Sequence, residues 1–475
     1  MFWRTVTGSR WCALSAEAET RPWDVLLIAG SFLVVLAWAW RPIWDIDLFW
    51  HVVVGRLILE GGVPSTDVLS AADPTAPWTT FQWGYEVLVA AVEATLGLPG
   101  LKAMHAVLVA GTFGLLAGLL RKTGASRALC LGILGFALLM VEDRIRARPH
   151  LFELLFVVGL APLLYGRERQ ATPIVLVLVM GLWANLHAVS SLWWVALVGA
   201  WTLSFKSKPS AKRFGTLAAG IVVALASPPV RKGLMGALLS HSDWPAELVP
   251  ELQPTWAYWE LGFFGWAMLA GVVLGLAAAL HFTSAKDQER GAKIAALGCA
   301  LAAVLMARWA WLAVVPMGLW MLWQRPAWGW GVGAVSAAVV LGHVGPRWTL
   351  DDRLQTLEEG SFPVQACQVM QDQDFRVPLD TTPAWSGYLL YCLYPKARVL
   401  SDGRLVFGPQ ITELLLAREA GDLGTFDQAV GIYGTQALVW PAGNPPPLDE
   451  SRWRIVHSDP VAQVWLPRPV WAQWE

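Results

Sequence analysis

Long apolar runs separated by short charged connections fill the first three quarters of the chain. A bilayer core is about 30 Å thick and takes roughly 20 helical residues to cross. The runs recur too often to serve one soluble core. They predict eleven spans, at about 24–40, 101–120, 128–141, 149–165, 173–186, 188–205, 213–227, 261–283, 291–306, 308–323 and 327–343. The stretch 84–98 (GYEVLVAAVEATLGL) is short, carries Glu86 and Glu93 and follows a polar loop. It predicts a helix lying along the membrane surface. Residues 47–61 have helical periodicity ending at Gly61-Gly62, with Pro64 behind, and predict a second juxtamembrane helix. From 344 onward short β-like runs (RVPLD, ARVLS, QALVW, RIVHS, AQVWL) alternate with helical patterns at 363–373, 384–393 and 409–432. The expected fold is therefore an α-helical polytopic membrane protein of about eleven spans plus a small α/β domain. The membrane domain is expected at 1–343, with its first outer loop at about 41–100, and the α/β domain at 344–475.

Charge sets the orientation. With Arg4, Arg10 and Arg21 in the cytoplasm, the connections RKTGASR (121–127), GRERQ (166–170), KSKPSAKR (206–213) and AKDQERGAK (285–293) all fall inside. Segments 41–100 and 228–260 then fall outside, as does the C-terminal domain. The N-terminal apolar run ends in Trp-Ala-Trp-Arg-Pro without small residues, so it reads as an anchor, not a cleavable signal. The composition agrees with a membrane protein: 475 residues, 55% hydrophobic, 15% charged, with 30 tryptophans suited to interface belts. A net charge of −1 gives no footprint for nucleic acid. Cys12, Cys130, Cys299, Cys367 and Cys392 lack metal-ligand spacing. Cys367 and Cys392 can pair if their region lies outside the cytoplasm.

Polar residues concentrate on the predicted outer face. Trp44-Asp45-Ile46-Asp47-Leu48-Phe49-Trp50-His51 places two carboxylates and an imidazole directly after the first span, where ionisable groups are costly and mark function. Asp47 suits a helix N-cap as well as a catalytic base. The next outer connection, 142–150, holds Arg144, Arg146, Arg148 and His150 beside Glu142 and Asp143. Its arginines offer forks of donors to phosphate. The two acids can instead neutralise those arginines or, with Asp45 and Asp47, hold a divalent cation. Asn185 and His187 sit at an outer turn, Arg308 at another, and the acidic, Trp-rich segment 243–260 completes the rim.

These motifs carry a resemblance. Asp45-x-Asp47-Leu48-x-Trp50-His51, then Gly55-Arg56, Ile58-Leu59-Glu60, Gly62, Pro64 and Asp67, with Gln82-Trp83 and Glu86, resemble a group of bacterial polytopic membrane proteins. So do Arg146-x-Arg148-Pro149-His150-x-Phe152, Trp183-Ala184-Asn185-Leu186-His187, Ala307-Arg308, Trp385-Ser386-Gly387-Tyr388-Leu389, Tyr394-Pro395 and Ser401-Asp402-Gly403-Arg404. The resemblance covers nearly the whole chain. That group is similar to the GT-C superfamily of membrane glycosyltransferases, such as aminoarabinose transferase and protein O-mannosyltransferases. The resemblance implies a bacterial inner-membrane enzyme, N-terminus cytoplasmic. It would move a sugar from a polyprenyl-phosphate donor to a glycan, lipid or protein acceptor on the extracytoplasmic side. It implies Asp47 as base, Asp45 and His51 as its neighbours, and Arg144, Arg146 and Arg148 as phosphate clamps. His150, Asn185, His187 and Arg308 are further substrate-binding candidates. Leu48 stands where those enzymes commonly carry the second acid of an Asp-Glu pair, and Asp45 precedes instead.

A second reading is a non-catalytic GT-C-like scaffold or partner in envelope polysaccharide assembly or export. A transporter is disfavoured, because the charges gather at one face and no internal repeat is visible.

Overall fold

The computed structural model describes residues 21–165, 170–203, 210–240, 254–257, 262–285, 290–345, 347–373, 375, 378–404, 409–422, 424–446 and 448–467. Arg4 and Arg10, most of the basic connection 166–170 and most of the rim segment 243–260 lie outside the described residues. The chain divides into two compact units, Met1–Arg41 with Ala103–Arg353, and Pro42–Lys102 with Leu354–Glu475. The first outer loop therefore groups with the C-terminal region, where the sequence predicts a division at 343/344. The pairings responsible are long-range: Ile43 bridges Leu357 and Ser70 bridges Val399 in parallel β-bridges. The Lys102 ammonium also donates to the Gln355 carbonyl at 2.6 Å.

The first unit is helical. Each predicted span coincides with a helix, because Leu-, Val- and Ala-rich runs keep their hydrogen bonds internal where no water can supply partners. Pro22–Ala39 and Thr172–Leu186 both begin with proline in the first turn, where a missing N–H costs nothing. Ser126 caps Arg127–Val141, accepting from the Leu129 N–H at 3.2 Å. That helix packs against Gly329–Val344 through glycines. A Cβ on Gly132 would lie 2.1 Å from the Gly329 carbonyl oxygen, the close approach small residues permit between membrane helices.

Not every predicted span is a full-length helix. Among the described residues three helices are long and apolar enough to cross alone: Pro22–Ala39, Trp83–Lys122 and Gly262–Ser284. Ala211–Ala226 with Pro228–Met235 adds a fourth if that pair, bent by 92°, is one span. The bend falls at Ser227-Pro228-Pro229, so helix occupies the start of the predicted outer segment 228–260. The predicted span 188–205 is helical only over Leu192–Thr202, because the Ser190 and Ser191 hydroxyls donate to the His187 and Ala188 carbonyls and hold a turn. The predicted span 308–323 starts as the 3-10 helix Ala307–Ala313 before Val314–Gln324.

The second unit holds the juxtamembrane helices and a sheet. Leu48–Gly61 stops where predicted, with Gly62 at φ 88°. The helix Trp83–Lys122 is broken at Gly97 (φ 65°, ψ −169°), which separates the predicted surface segment from the apolar continuation that forms the span. Leu48–Gly61 is gripped on two sides. A Cβ on Gly55 would meet the Glu86 carbonyl oxygen at 2.0 Å, and one on Gly387 would meet the Ile46 carbonyl oxygen at 2.6 Å. Phe49 fills the same interface, its ring centroid 4.9 Å from both Phe362 and Tyr388.

Among the described residues five strands form one sheet: β1 Pro378–Thr381, β2 Arg398–Val399, β3 Ala437–Pro441, β4 Trp453–Ser458 and β5 Ala462–Pro467, in the order β2-β1-β3-β5-β4. β1 pairs in parallel with β2 and β3, and the other pairings are antiparallel. All five predicted β-like runs supply these strands. Val364–Asp372 and Pro383–Leu393 match predicted helices and are joined by a disulfide between Cys367 and Cys392. The predicted helix 409–432 is two, Pro409–Glu419 and Gly424–Tyr433, divided near Gly421 at φ 88°.

Candidate active site

Asp47 stands at the head of Leu48–Gly61 and is half-buried. It occupies the N-cap position, yet its carboxylate accepts no capping hydrogen bond from the helix. The capping alternative therefore does not describe it. The buried Asp45 instead organises the turn, its Oδ1 accepting the Asp47 N–H at 2.9 Å.

One turn further, His51 is buried and its Nδ1 lies 3.4 Å from both Glu86 Oε1 and Gln82 Nε2. The Thr80 hydroxyl donates to the same Glu86 oxygen at 2.7 Å. Glu86 lies before the Gly97 break, outside the spanning segment. Its complete burial pushes its carboxyl up to about 8 against the opposing Thr80 hydrogen bond and Arg404 charge. A protonated Glu86 is thus the neutral-pH form and can donate a hydrogen bond. Trp50 lies against His51, with ring centroids 3.6 Å apart and ring planes inclined by 33°. Its buried indole N–H has no hydrogen-bond partner among the described residues, and neither does Glu86 Oε2.

A second buried charge cluster adjoins this one. Arg404 binds Asp67 at 2.7 Å and Asp402 at 2.6 Å, with its guanidinium 4.7 Å from the Trp78 ring centroid. Burial, stronger than the Arg404 attraction, raises the Asp67 carboxyl above its ordinary range. Farther along Leu48–Gly61, Arg56 pairs with Glu93 at 2.8 Å, and the Tyr391 hydroxyl donates to Glu93 at 2.9 Å.

The first unit holds the other candidates. Arg41 binds Glu142 at 2.8 Å, and the Trp38 indole donates to the same carboxylate at 2.9 Å. Asp143 is paired with Arg146 at 2.6 Å. Internal neutralisation thus accounts for both acids. Among the described residues no group of three His, Cys, Asp or Glu side chains is placed to hold a metal ion. The buried His150 ring donates to the Arg144 carbonyl at 2.6 Å and ties the loop shut. Arg144 is buried, while Arg148 and Arg308 are half-buried. His187 pairs with Glu153 at 2.9 Å. The Asn185 amide donates to the Gly181 carbonyl at 2.7 Å and accepts from the Ser227 hydroxyl at 2.8 Å, a structural use of both its ends.

From the sequence Asp67, Glu86 and Arg404 stand in the motifs named above without a role at Asp47, and Glu153 is not singled out. Glu153 carries a readable signal, an acid inside an otherwise apolar run. The Asp67–Arg404 pair carries none, since its members are far apart in the chain.

No protein-family model and no curated protein matches the sequence. Solved structures do. The chain is similar to the arabinofuranosyltransferase AftD from Mycobacteria, with a TM-score of 0.53 and 13% identity over 95% of this chain. The fold is GT-C-like. The chain spans only 40% of the length of AftD. A second GT-C structure, ArnT from Cupriavidus metallidurans bound to undecaprenyl phosphate, has a TM-score of 0.50 and 13% identity, covering 94% of this chain and 98% of ArnT. At this identity the likeness establishes the GT-C-like fold alone.

Proposed function

We propose that this protein is a membrane glycosyltransferase that takes a sugar from a polyprenyl-phosphate donor, with Asp47 as the base. The observation that carries this reading is the Asp47 carboxylate, heading a juxtamembrane helix of a GT-C-like fold and unspent on capping it. The ligand carried by the ArnT structure supports a lipid phosphate as donor.

The chemistry balances without another reactant. Asp47 takes the proton of an acceptor hydroxyl as the acceptor oxygen bonds to the sugar's anomeric carbon. The bond from that carbon to the phosphate oxygen breaks, and its electron pair leaves on the lipid phosphate. Arginine forks are suited to that growing negative charge, and Arg144, Arg146 and Arg148 are assigned to it. The acceptor is a glycan, lipid or protein. The Cys367–Cys392 disulfide supports an oxidising, extracytoplasmic setting for the C-terminal region, with the N-terminus in the cytoplasm of a bacterial inner membrane.

The test is sugar transfer in proteoliposomes supplied with a polyprenyl-phosphate sugar and a membrane extract as acceptor. Asp47→Asn should lower transfer by about 10²–10⁴-fold while the protein keeps its melting temperature. Full activity in the variant would overturn the assignment of Asp47, whereas absence of transfer by the wild-type protein would favour the scaffold reading, which Leu48 in place of a second acid also favours.

A further inference from the structure

The Ser401-Asp402-Gly403-Arg404 turn approaches Asp47 more closely than any side chain would allow. A Cβ built on Gly403 would lie 2.1 Å from Asp47 Oδ1 and 3.3 Å from Asp47 Cγ, with Trp50 Nε1 at 3.7 Å. Gly403 does not have a positive φ. Its backbone therefore tolerates alanine, and the clash with the Asp47 carboxylate is what glycine avoids.

The turn is held rigidly in that place. Its Arg404 reaches back to Asp402 within the turn and across to Asp67 in the first outer loop, all three side chains buried. Asp402 Oδ1 also accepts the Arg404 backbone N–H at 2.9 Å, closing the turn on itself. A short segment fixed by two buried ion pairs sits against the one carboxylate that the helix leaves unused for capping.

We propose that the Ser401–Arg404 turn is the positioning element for Asp47: Gly403 supplies the clearance in which the carboxylate is seated, and Arg404, through Asp67 and Asp402, locks the turn over it. The proposal rests on the reading of Asp47 as base and gives the C-terminal region a defined part in the reaction. Gly403 and Arg404 act through Asp47 and need not touch substrate.

The experiment is a double-mutant cycle between Gly403→Ala and Asp47→Ala, read by melting temperature in detergent, alongside kinetics of Gly403→Ala. Neighbouring side chains that contact one another give non-additive effects. Gly403→Ala should lower the melting temperature of the wild-type protein, yet leave that of Asp47→Ala nearly unchanged, since the clashing carboxylate is gone. Equal shifts in both backgrounds would overturn the proposal. In the transfer assay Gly403→Ala should lower kcat by about 100-fold, as a displaced catalytic group does, with KM for the lipid donor within about twofold of wild type. A wild-type kcat in Gly403→Ala would also overturn it. The two readings fail separately. An active Asp47→Asn sinks the base, whereas an additive cycle with an inactive Asp47→Asn sinks only the positioning role.

Discussion

Arg404 and Asp67 form a buried ion pair at 2.7 Å that fastens the first outer loop to the C-terminal region. With Asp402 on the same guanidinium, two carboxylates depend on one cation. Arg404→Met should therefore destabilise the protein by about 3–5 kcal/mol, because it strands buried negative charge. Arg404→Lys should recover only part of that loss, since an ammonium lacks the fork that serves both partners. Denaturant or thermal unfolding of the two variants checks both statements, and a Met variant as stable as wild type contradicts them.

The pH dependence of stability should carry the signature of Glu86. Its carboxyl is raised by burial from the ordinary 4.5 to about 8 in the folded protein. The folded state thus keeps a proton that the unfolded chain releases, and stability falls as pH rises between those values, levelling off above the upper one. Glu86→Gln keeps the shape and removes the titration. Melting temperatures across that window should show a slope in wild type that is clearly flatter in the variant.

The Gly55 contact predicts a packing defect that is independent of charge. A methyl group at this position would meet the Glu86 carbonyl oxygen at 2.0 Å and Ala90 Cβ at 2.7 Å. Gly55→Ala should force the helices apart at a cost of about 1–3 kcal/mol, despite the better helix propensity of alanine. A variant more stable than wild type would show that the two helices do not meet as described.

The disulfide gives a redox prediction. Cys367 and Cys392 are 25 residues apart in sequence, so replacing both with serine should cost about 3 kcal/mol by relaxing the unfolded chain. Cys130 and Cys299 are buried free thiols. They should react with a maleimide only after unfolding. Mass spectrometry of native and unfolded protein, with and without reductant, reads both outcomes.

Apolar periodicity by itself determined where the helices lie, because a segment that must satisfy its own backbone in a bilayer has few conformations open to it. The alternating runs after 344 likewise located all five strands, and Gly61-Gly62 marked the end of the helix behind Asp47. The cluster Asp45, Asp47 and His51 was legible as a site because its members are neighbours in the chain. Local sequence did not show that the predicted span 188–205 begins as a turn and 308–323 as a 3-10 helix, since serine hydroxyls and 3-10 geometry compete with the α-helix on small energy differences. Tertiary structure alone decided which unit the first outer loop joins, that Asn185 and Glu142 are absorbed by neighbours, and that Gly403 lies against Asp47. Most of those outcomes depend on contacts between residues tens to hundreds of positions apart, and no periodicity along the chain encodes which distant carbonyl, carboxylate or glycine will share a boundary.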